Sequence, residues 1–251
     1  MKQGFYRITE NVALTDTVYR MVLEGDTSAC TATGQFINLK LDGFYLRRPI
    51  SVYDWDDKSI TIIYKVVGNG TEAMAALPVG TELDVLTGLG NGYNTDKSGD
   101  KPVLLGGGVG IPPLYALCKK LLSEGKQPSV ILGFNTEEEI FCQKEFEALL
   151  AGTEGKVYVT LVDGTDKNGY IPGFVTDALP EEYTHFFACG PEPMLRAVCK
   201  ATATSGQLSF EERMGCGFGA CMGCSCKTLT GNKRICKDGP VMRKEEILWE
   251  D

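Results

Sequence analysis

Two hydrophobic periodicities divide the chain. In the first hundred residues, short runs rich in β-branched and aromatic side chains are separated by Gly, Asp, Asn and Pro. They predict strands at Tyr6–Val12, Val18–Leu23, Gln35–Leu39, Ile50–Tyr53, Ile60–Val67 and Glu82–Leu86. Six such strands suit a closed antiparallel β-barrel. A short helix is expected at Thr71–Ala76, capped by Thr71, with Met74 and Leu77 turned inward. From Lys101 the pattern changes to alternating strands and helices. Strands are expected at Pro102–Leu105, Ser129–Phe134, Val157–Leu161 and Thr184–Ala188. Helices are expected at Ile111–Ser123, Gln143–Leu150, Phe174–Ala178 and Met194–Ala203. Leu114, Leu117, Cys118 and Leu121 give the first long helix its buried stripe. This is an α/β nucleotide-binding pattern. Gly99, Asp100 and Pro102 mark the boundary, so the chain is expected to divide into 1–99, 100–209 and a small C-terminal unit, 210–251.

The C-terminal unit carries the sharpest chemical signal. Five of the ten cysteines fall between Cys216 and Cys236. Cys216, Cys221, Cys224 and Cys236 form a C-x4-C-x2-C-x11-C series, the arrangement of a plant-type [2Fe-2S] centre. Gly215, Gly217, Gly219 and Gly223 let the backbone turn closely around the sulfurs. Backbone amides in such a loop can face the negative sulfur atoms. Four cysteines also suit tetrahedral zinc, but the usual zinc pattern has two C-x2-C pairs and only Cys221 and Cys224 make one. Cys226 falls outside the series, either as a neighbour of the cluster or as a substitute ligand.

Three glycine- or arginine-bearing corners are candidate anion sites. Arg47-Arg48-Pro49-Ile50-Ser51 places two guanidinium groups at a strand, where they suit a diphosphate or an ordinary solvent-facing edge. Val67-Gly68-Asn69-Gly70-Thr71 opens a helix with exposed amides, which hold phosphate oxygens or simply make a turn. Gly106-Gly107-Gly108-Val109-Gly110 joins a strand to a helix as a dinucleotide loop does, although Pro112 and Pro113 break the full fingerprint. Cys189-Gly190-Pro191 occupies a second strand-to-helix corner, and both corners should share the carboxyl edge of the sheet. The acidic run Glu137-Glu138-Glu139 would repel a 2′-phosphate and so favour NAD over NADP, or is an ordinary acidic surface turn. Tyr93 is expected either on the surface or facing a ring system.

Composition narrows the classes. A net charge of -8 argues against nucleic-acid or anionic-membrane binding. The N-terminus has no apolar signal segment and no run is long enough to span a bilayer, so a cytoplasmic protein is expected. The single histidine, His185, rules out a histidine-rich metal site within this chain. It is read as a satisfied histidine beside a sheet.

Taken with Arg48-Pro49-Ile50-Ser51, Gly106–Leu114, Cys189-Gly190-Pro191 and Glu212-Arg213-Met214-Gly215-Cys216-Gly217, the order of these sites resembles a known family. It is similar to the iron-sulfur flavoprotein subunits of NAD-dependent, type B bacterial dihydroorotate dehydrogenases, within the ferredoxin-reductase-like flavoproteins. The resemblance covers essentially the whole chain. It implies FAD on the barrel, with Arg48 at the diphosphate, Pro49, Ile50 and Ser51 along the flavin, and Val67, Gly68, Gly70 and Thr71 at the phosphate or adenosine. It implies NAD(H) at Gly107, Gly108, Gly110, Cys189, Gly190 and Pro191. It implies a [2Fe-2S] cluster on Cys216, Cys221, Cys224 and Cys236, and no catalytic side chain, because the chemistry belongs to the cofactors. The partner it implies is a TIM-barrel subunit with FMN, two copies of each chain, oxidising dihydroorotate in pyrimidine biosynthesis. A subunit of an electron-bifurcating or hydrogenase-linked reductase shares the same layout, and a redox sensor without turnover is a reading of another class.

Overall fold

Alternation along the first strands closes them on one another. The computed structural model describes residues 1–164 and 169–249. Its barrel contains β1 (Lys2–Ala13), β2 (Val18–Glu24), β3 (Phe36–Leu39), β4 (Arg48–Trp55), β5 (Ser59–Lys65) and β6 (Glu82–Leu89), in the order β1-β2-β5-β4-β3-β6. Every pairing in it is antiparallel. Ile60, Ile62 and Tyr64 turn inward from β5 and meet Ile8, Met21, Ile37 and Val85 in the barrel core. Between them Ile63 points outward, and with Val18 and Tyr53 it joins the core of the following domain. Tyr53 stacks on Tyr115 at 4.4 Å between ring centroids, so the two units share a packed interface. β1, β4 and β6 run longer than the apolar pattern predicts, because ladder pairing carries the strands on through their polar ends.

The short helix α1 (Asn69–Ala75) corrects one expectation. Gly68, not Thr71, holds the cap position. The Thr71 hydroxyl instead accepts the backbone N–H groups of Val67 and Gly68 at 2.9 and 3.2 Å, reaching back to brace the turn. Met74 is fully buried in the barrel core, and Leu77 packs against it.

The second unit is a seven-stranded sheet with helices on its faces. In chain order it comprises β7 (Val103–Gly107), α2 (Pro113–Ser123), β8 (Ser129–Phe134), α3 (Gln143–Leu150), β9 (Val157–Leu161), β10 (Ile171–Pro172), β11 (Phe186–Cys189), α4 (Glu192–Ala201) and β12 (Gly206–Ser209). The strand order is β10-β9-β8-β7-β11-β12, with one further strand at the edge. These six pair in parallel. β8, α3 and β9 end where the sequence pattern places them. α2 starts later, at Pro113, after a 3-10 turn at Gly108–Gly110, because prolines take the cap and the first helical position without losing a needed N–H. α4 starts earlier than expected, at Glu192, for the same reason at Pro191. The expected helix at Phe174–Ala178 is a single 3-10 turn at Val175–Ala178.

The cysteine segment returns to this sheet. A hairpin of β13 (Ser225–Thr228) and β14 (Gly231–Arg234) precedes β15 (Val241–Arg243), which pairs antiparallel with β12. β12 and all three later strands escape a reading by periodicity, since three or four residues carry too short an alternation. The linker is also tied down. Tyr93 is buried rather than on the surface; its ring meets Phe187 edge-on at 5.6 Å between centroids, and its hydroxyl donates to the Ala188 carbonyl at 3.2 Å. Among the described residues no helix is long and apolar enough to cross a membrane.

His185 sits beside β11 with 4% exposure. Its Nδ1 lies 3.1 Å from Ser205 Oγ and its Nε2 3.3 Å from Gln207 Nε2. The Gln207 amide nitrogen donates, so Nε2 accepts and the ring is neutral. Burial pulls the His185 pKa below its ordinary value, against a smaller opposing pull from Glu245. A depressed histidine pKa means the unfolded chain binds the proton more readily. Stability is therefore full above about pH 6.5 and falls as the pH drops below it toward the folded value. Thermal melts on either side of that pH should show this loss, and a His185→Gln variant should show less of it.

Candidate functional site at the sheet switch point

Strand order places the site. β8 and β9 extend the sheet one way from β7, and β11 and β12 extend it the other way. The order reverses between β7 and β11, and ligands bind beyond the carboxyl ends of strands at such a point. The Gly106–Gly110 corner follows β7 and the Cys189–Pro191 corner follows β11, so both expected corners meet there. They touch closely: a β-carbon on Gly110 would overlap the Cys189 carbonyl. Burial pushes the Cys189 thiol up to about 12, which keeps it protonated and unreactive.

A cavity of about 770 Å³ opens over these corners. Gly107, Gly108, Gly110, Cys189, Gly190 and Pro191 line one wall, and Phe36, Pro49, Ser51 and Lys65 of the barrel line the opposite one. Glu211, Glu212 and Met214 close the end that leads into the cysteine segment. The volume lies within the usual range for small-molecule and cofactor sites. Among its residues, Lys65 carried no signal in the sequence. Lys65 faces Glu139 across the cavity, with nitrogen and oxygen 3.8 Å apart. Glu139 also accepts from the Asn135 side chain at 2.9 Å. Of the three consecutive glutamates, only Glu139 lines the cavity.

The two arginines of the barrel motif divide. Arg47 forms a 2.8 Å ion pair with Asp84 and donates to the Asp84 carbonyl at 2.8 Å, so its charge is spent inside the barrel wall. That corrects the expectation of two arginines at one diphosphate. Arg48 lies over the Phe44 ring at 4.7 Å and against Gly70, where any β-carbon would overlap the guanidinium. Arg48 and the start of α1 thus make one basic, amide-lined cradle. Pro49 and Ser51 point into the cavity, whereas Ile50 packs against the barrel core. Val67 and Gly68 are exposed beside the cradle, and Gly70 and Thr71 are buried under it.

The cysteine loop folds around its own sulfurs. Cys216 Sγ accepts the N–H groups of Ala220 and Cys221 at 3.2 and 3.4 Å. Cys221 Sγ accepts those of Cys216 and Gly223 at 3.4 and 3.5 Å, and Cys224 Sγ accepts that of Cys236 at 3.4 Å. All ten cysteines are free thiols. Among the described residues no three His, Cys, Asp or Glu side chains converge on one metal position. The sulfurs stand in two pairs, 216 with 221 and 224 with 236. The donor set nonetheless fits an iron-sulfur group: four thiols, with peptide N–H groups already turned toward sulfur. At Cys216, burial raises the pKa, but the amides of Cys221, Phe218 and Ala220 and the Cys221 thiol outweigh it and bring it down to about 6. At Cys236, burial and the facing Cys224 push it up to about 12. Cys226 takes part in none of the five N–H to sulfur contacts. It lies half-buried on β13, opposite Lys233.

A flavin-type barrel, an α/β sheet with a switch-point cavity and a C-terminal cysteine loop define an iron-sulfur flavoprotein of the ferredoxin-reductase-like class. Residues 211–248 match the iron-sulfur cluster binding domain of dihydroorotate dehydrogenase B, and residues 104–200 match the oxidoreductase NAD-binding domain. The chain is 37% identical to the dihydroorotate dehydrogenase B (NAD(+)) electron transfer subunit of Fusobacterium nucleatum, over 97% of each chain. It is 38% identical to that of Listeria innocua, over 98% of this chain and 99% of the relative. A solved NADH-dependent reduced ferredoxin-NADP oxidoreductase superposes with a TM-score of 0.86 at 25% identity, over 98% of this chain and 90% of the other. The FAD/NAD-binding domain of a Vibrio cholerae nitric oxide dioxygenase shares the fold over 80% of this chain and 92% of its own, with a TM-score of 0.68 at 21% identity. The chain belongs to the family of dihydroorotate dehydrogenase B electron-transfer subunits.

Proposed function

We propose that the chain passes electrons from dihydroorotate oxidation in a partner subunit, by way of a [2Fe-2S] cluster and FAD, to NAD+ in pyrimidine biosynthesis. The observation that carries this reading is a single cavity walled by the barrel, both nucleotide corners and the residues leading into the cysteine loop. The reading divides the chain into an FAD unit (1–99), an NAD unit (100–209) and a cluster unit (210–251). When bound, FAD supplies the exchange between the two-electron chemistry of nicotinamide and the one-electron chemistry of the cluster. The protein's share is binding and orientation. Arg48 holds the diphosphate with the first amides of α1, beside Val67, Gly68, Gly70 and Thr71. Pro49 and Ser51 face the flavin ring, and Ile50 anchors their strand in the barrel. Gly107, Gly108 and Gly110 leave room for the dinucleotide backbone, and Cys189, Gly190 and Pro191 face its nicotinamide. Glu139 repels a 2′-phosphate, which favours NAD. Cys216, Cys221, Cys224 and Cys236 hold the iron, with Cys226 a bystander.

The partner in this reading is a TIM-barrel subunit with FMN, two copies of each chain. Reconstitution with that subunit tests the whole proposal. Dihydroorotate should drive NAD+ reduction, with FAD, FMN, iron and sulfide all present. Failure with dihydroorotate alongside turnover with reduced ferredoxin would favour the oxidoreductase type whose fold the chain also shares. One variant tests the nucleotide corner. A Gly110→Ala methyl would force apart two touching corners, an overpacking of about 1–3 kcal/mol. The KM for NADH should rise roughly tenfold, as that energy implies, while FAD and iron contents hold. An unchanged KM would remove Gly110 from the site.

A further inference from the structure

We propose that Asn38 is a positioning residue that seats the first cysteine of the cluster loop on the flavin barrel and so governs electron passage between flavin and cluster. The inference rests on the cofactor assignments above and adds the link between them. Asn38 lies on β3 with 1% exposure. Its Nδ2 donates to the Cys216 carbonyl at 3.5 Å, across 178 residues of sequence. Gly217 follows at φ 78°, and a β-carbon there would overlap the Asn38 amide. The loop therefore meets the barrel at this side chain, with no room for a larger residue at Gly217.

Three features set Asn38 apart from an ordinary core residue. Its Oδ1 is buried without a hydrogen-bond partner. Such a group destabilises a fold, and leucine would fill the place without that cost, so packing alone does not account for an amide here. Next, Asn38 stands directly opposite Pro49 on β4, while Phe36, two residues earlier, stands opposite Ser51. Phe36, Pro49 and Ser51 all line the cavity, so Asn38 shares the ladder that forms the flavin-side wall. Finally, holding the Cys216 carbonyl toward the barrel leaves the amides of Ala220 and Cys221 turned to the Cys216 sulfur. Partners of this kind orient a ligand and tune the metal it holds. Asn38 itself gives up no atom or electron.

The test is an Asn38→Leu variant of the full chain, mixed anaerobically with NADH. Flavin bleaching is followed optically and cluster reduction by the electron paramagnetic resonance of freeze-quenched samples. The flavin should bleach at the wild-type rate, while the cluster is reduced about tenfold more slowly or worse, the usual cost of losing such a partner. The resonance of the reduced cluster should also shift. Cluster reduction at the wild-type rate with an unchanged resonance would overturn the proposal. If the leucine variant sheds its iron, a cycle of Asn38→Ala, Gly217→Ala and the double variant decides. Backbone strain at Gly217 is common to two corners of the cycle and cancels. Iron retention in the double variant better than the two single losses combined supports the contact, and strictly additive losses overturn it. Wild-type protein that binds no iron, or whose flavin NADH does not bleach, would refute the underlying cofactor assignment instead.

Discussion

A Cys221→Ser variant should lose most of its iron and sulfide while keeping its flavin. Cys221 is exposed in the loop, and its sulfur meets the N–H groups of Cys216 and Gly223 and the Cys216 thiol. Serine fits there without disturbing a core. The same change at Cys224 or Cys236 is a poorer test, since both are about 98–99% buried among Phe36, Leu86, Ile235 and Met242. A hydroxyl left unpaired there costs about 1–3 kcal/mol by itself, so loss of iron would be mixed with loss of fold. At Cys221 the effects separate. Iron and sulfide per chain, read beside flavin absorbance and the melting temperature, check the assignment. Unchanged iron and sulfide would remove Cys221 from the ligand set.

Replacing Arg48 by alanine should weaken FAD binding by roughly 10–100-fold, the equivalent of about 1.5–3 kcal/mol for hydrogen bonds from a charged donor. Its neighbour supplies the control. Arg47 and Asp84 are both mostly buried and paired at 2.8 Å, and burial, which raises the Asp84 pKa, is outweighed by the hydrogen bonds from Arg47 and Gln3 that hold it down. Arg47→Ala should therefore lower the melting temperature and leave FAD affinity near wild type. Arg48→Ala should do the reverse, because its cation–π contact with Phe44, at a half-exposed site, contributes only about 1 kcal/mol. Titration of the apoprotein with FAD, beside thermal melts, reads both. Equal FAD affinity in the two variants would refute the cradle.

The two arginines also show where reading the sequence stops. Arg47 ends the loop and Arg48 opens β4, and nothing local says which of the two meets Asp84 and which meets α1. Thr71 is a similar case. Its residue type signals a helix start, but the hydroxyl braces the turn from three residues inside. The run of three glutamates marked the correct end of β8, yet only Glu139 reaches the cavity. Asn38 carried no signal at all, since a lone asparagine in a four-residue apolar strand has no motif around it.

The sequence by itself determined the barrel, the alternating sheet, the corners at Gly106–Gly110 and Cys189–Pro191, and the spacing of the cysteines. Each of these is written locally, as a period of two or 3.6, a glycine turn or a fixed interval between thiols. The tertiary structure alone decided what depends on distant partners. It paired β15 with β12, buried Tyr93 against β11, separated Arg47 from Arg48 and brought Cys216 to Asn38. Those contacts follow from closing long loops around a shared core, and their partners lie tens to hundreds of residues apart. A local pattern records which face of an element is apolar, but not which face of another element will cover it.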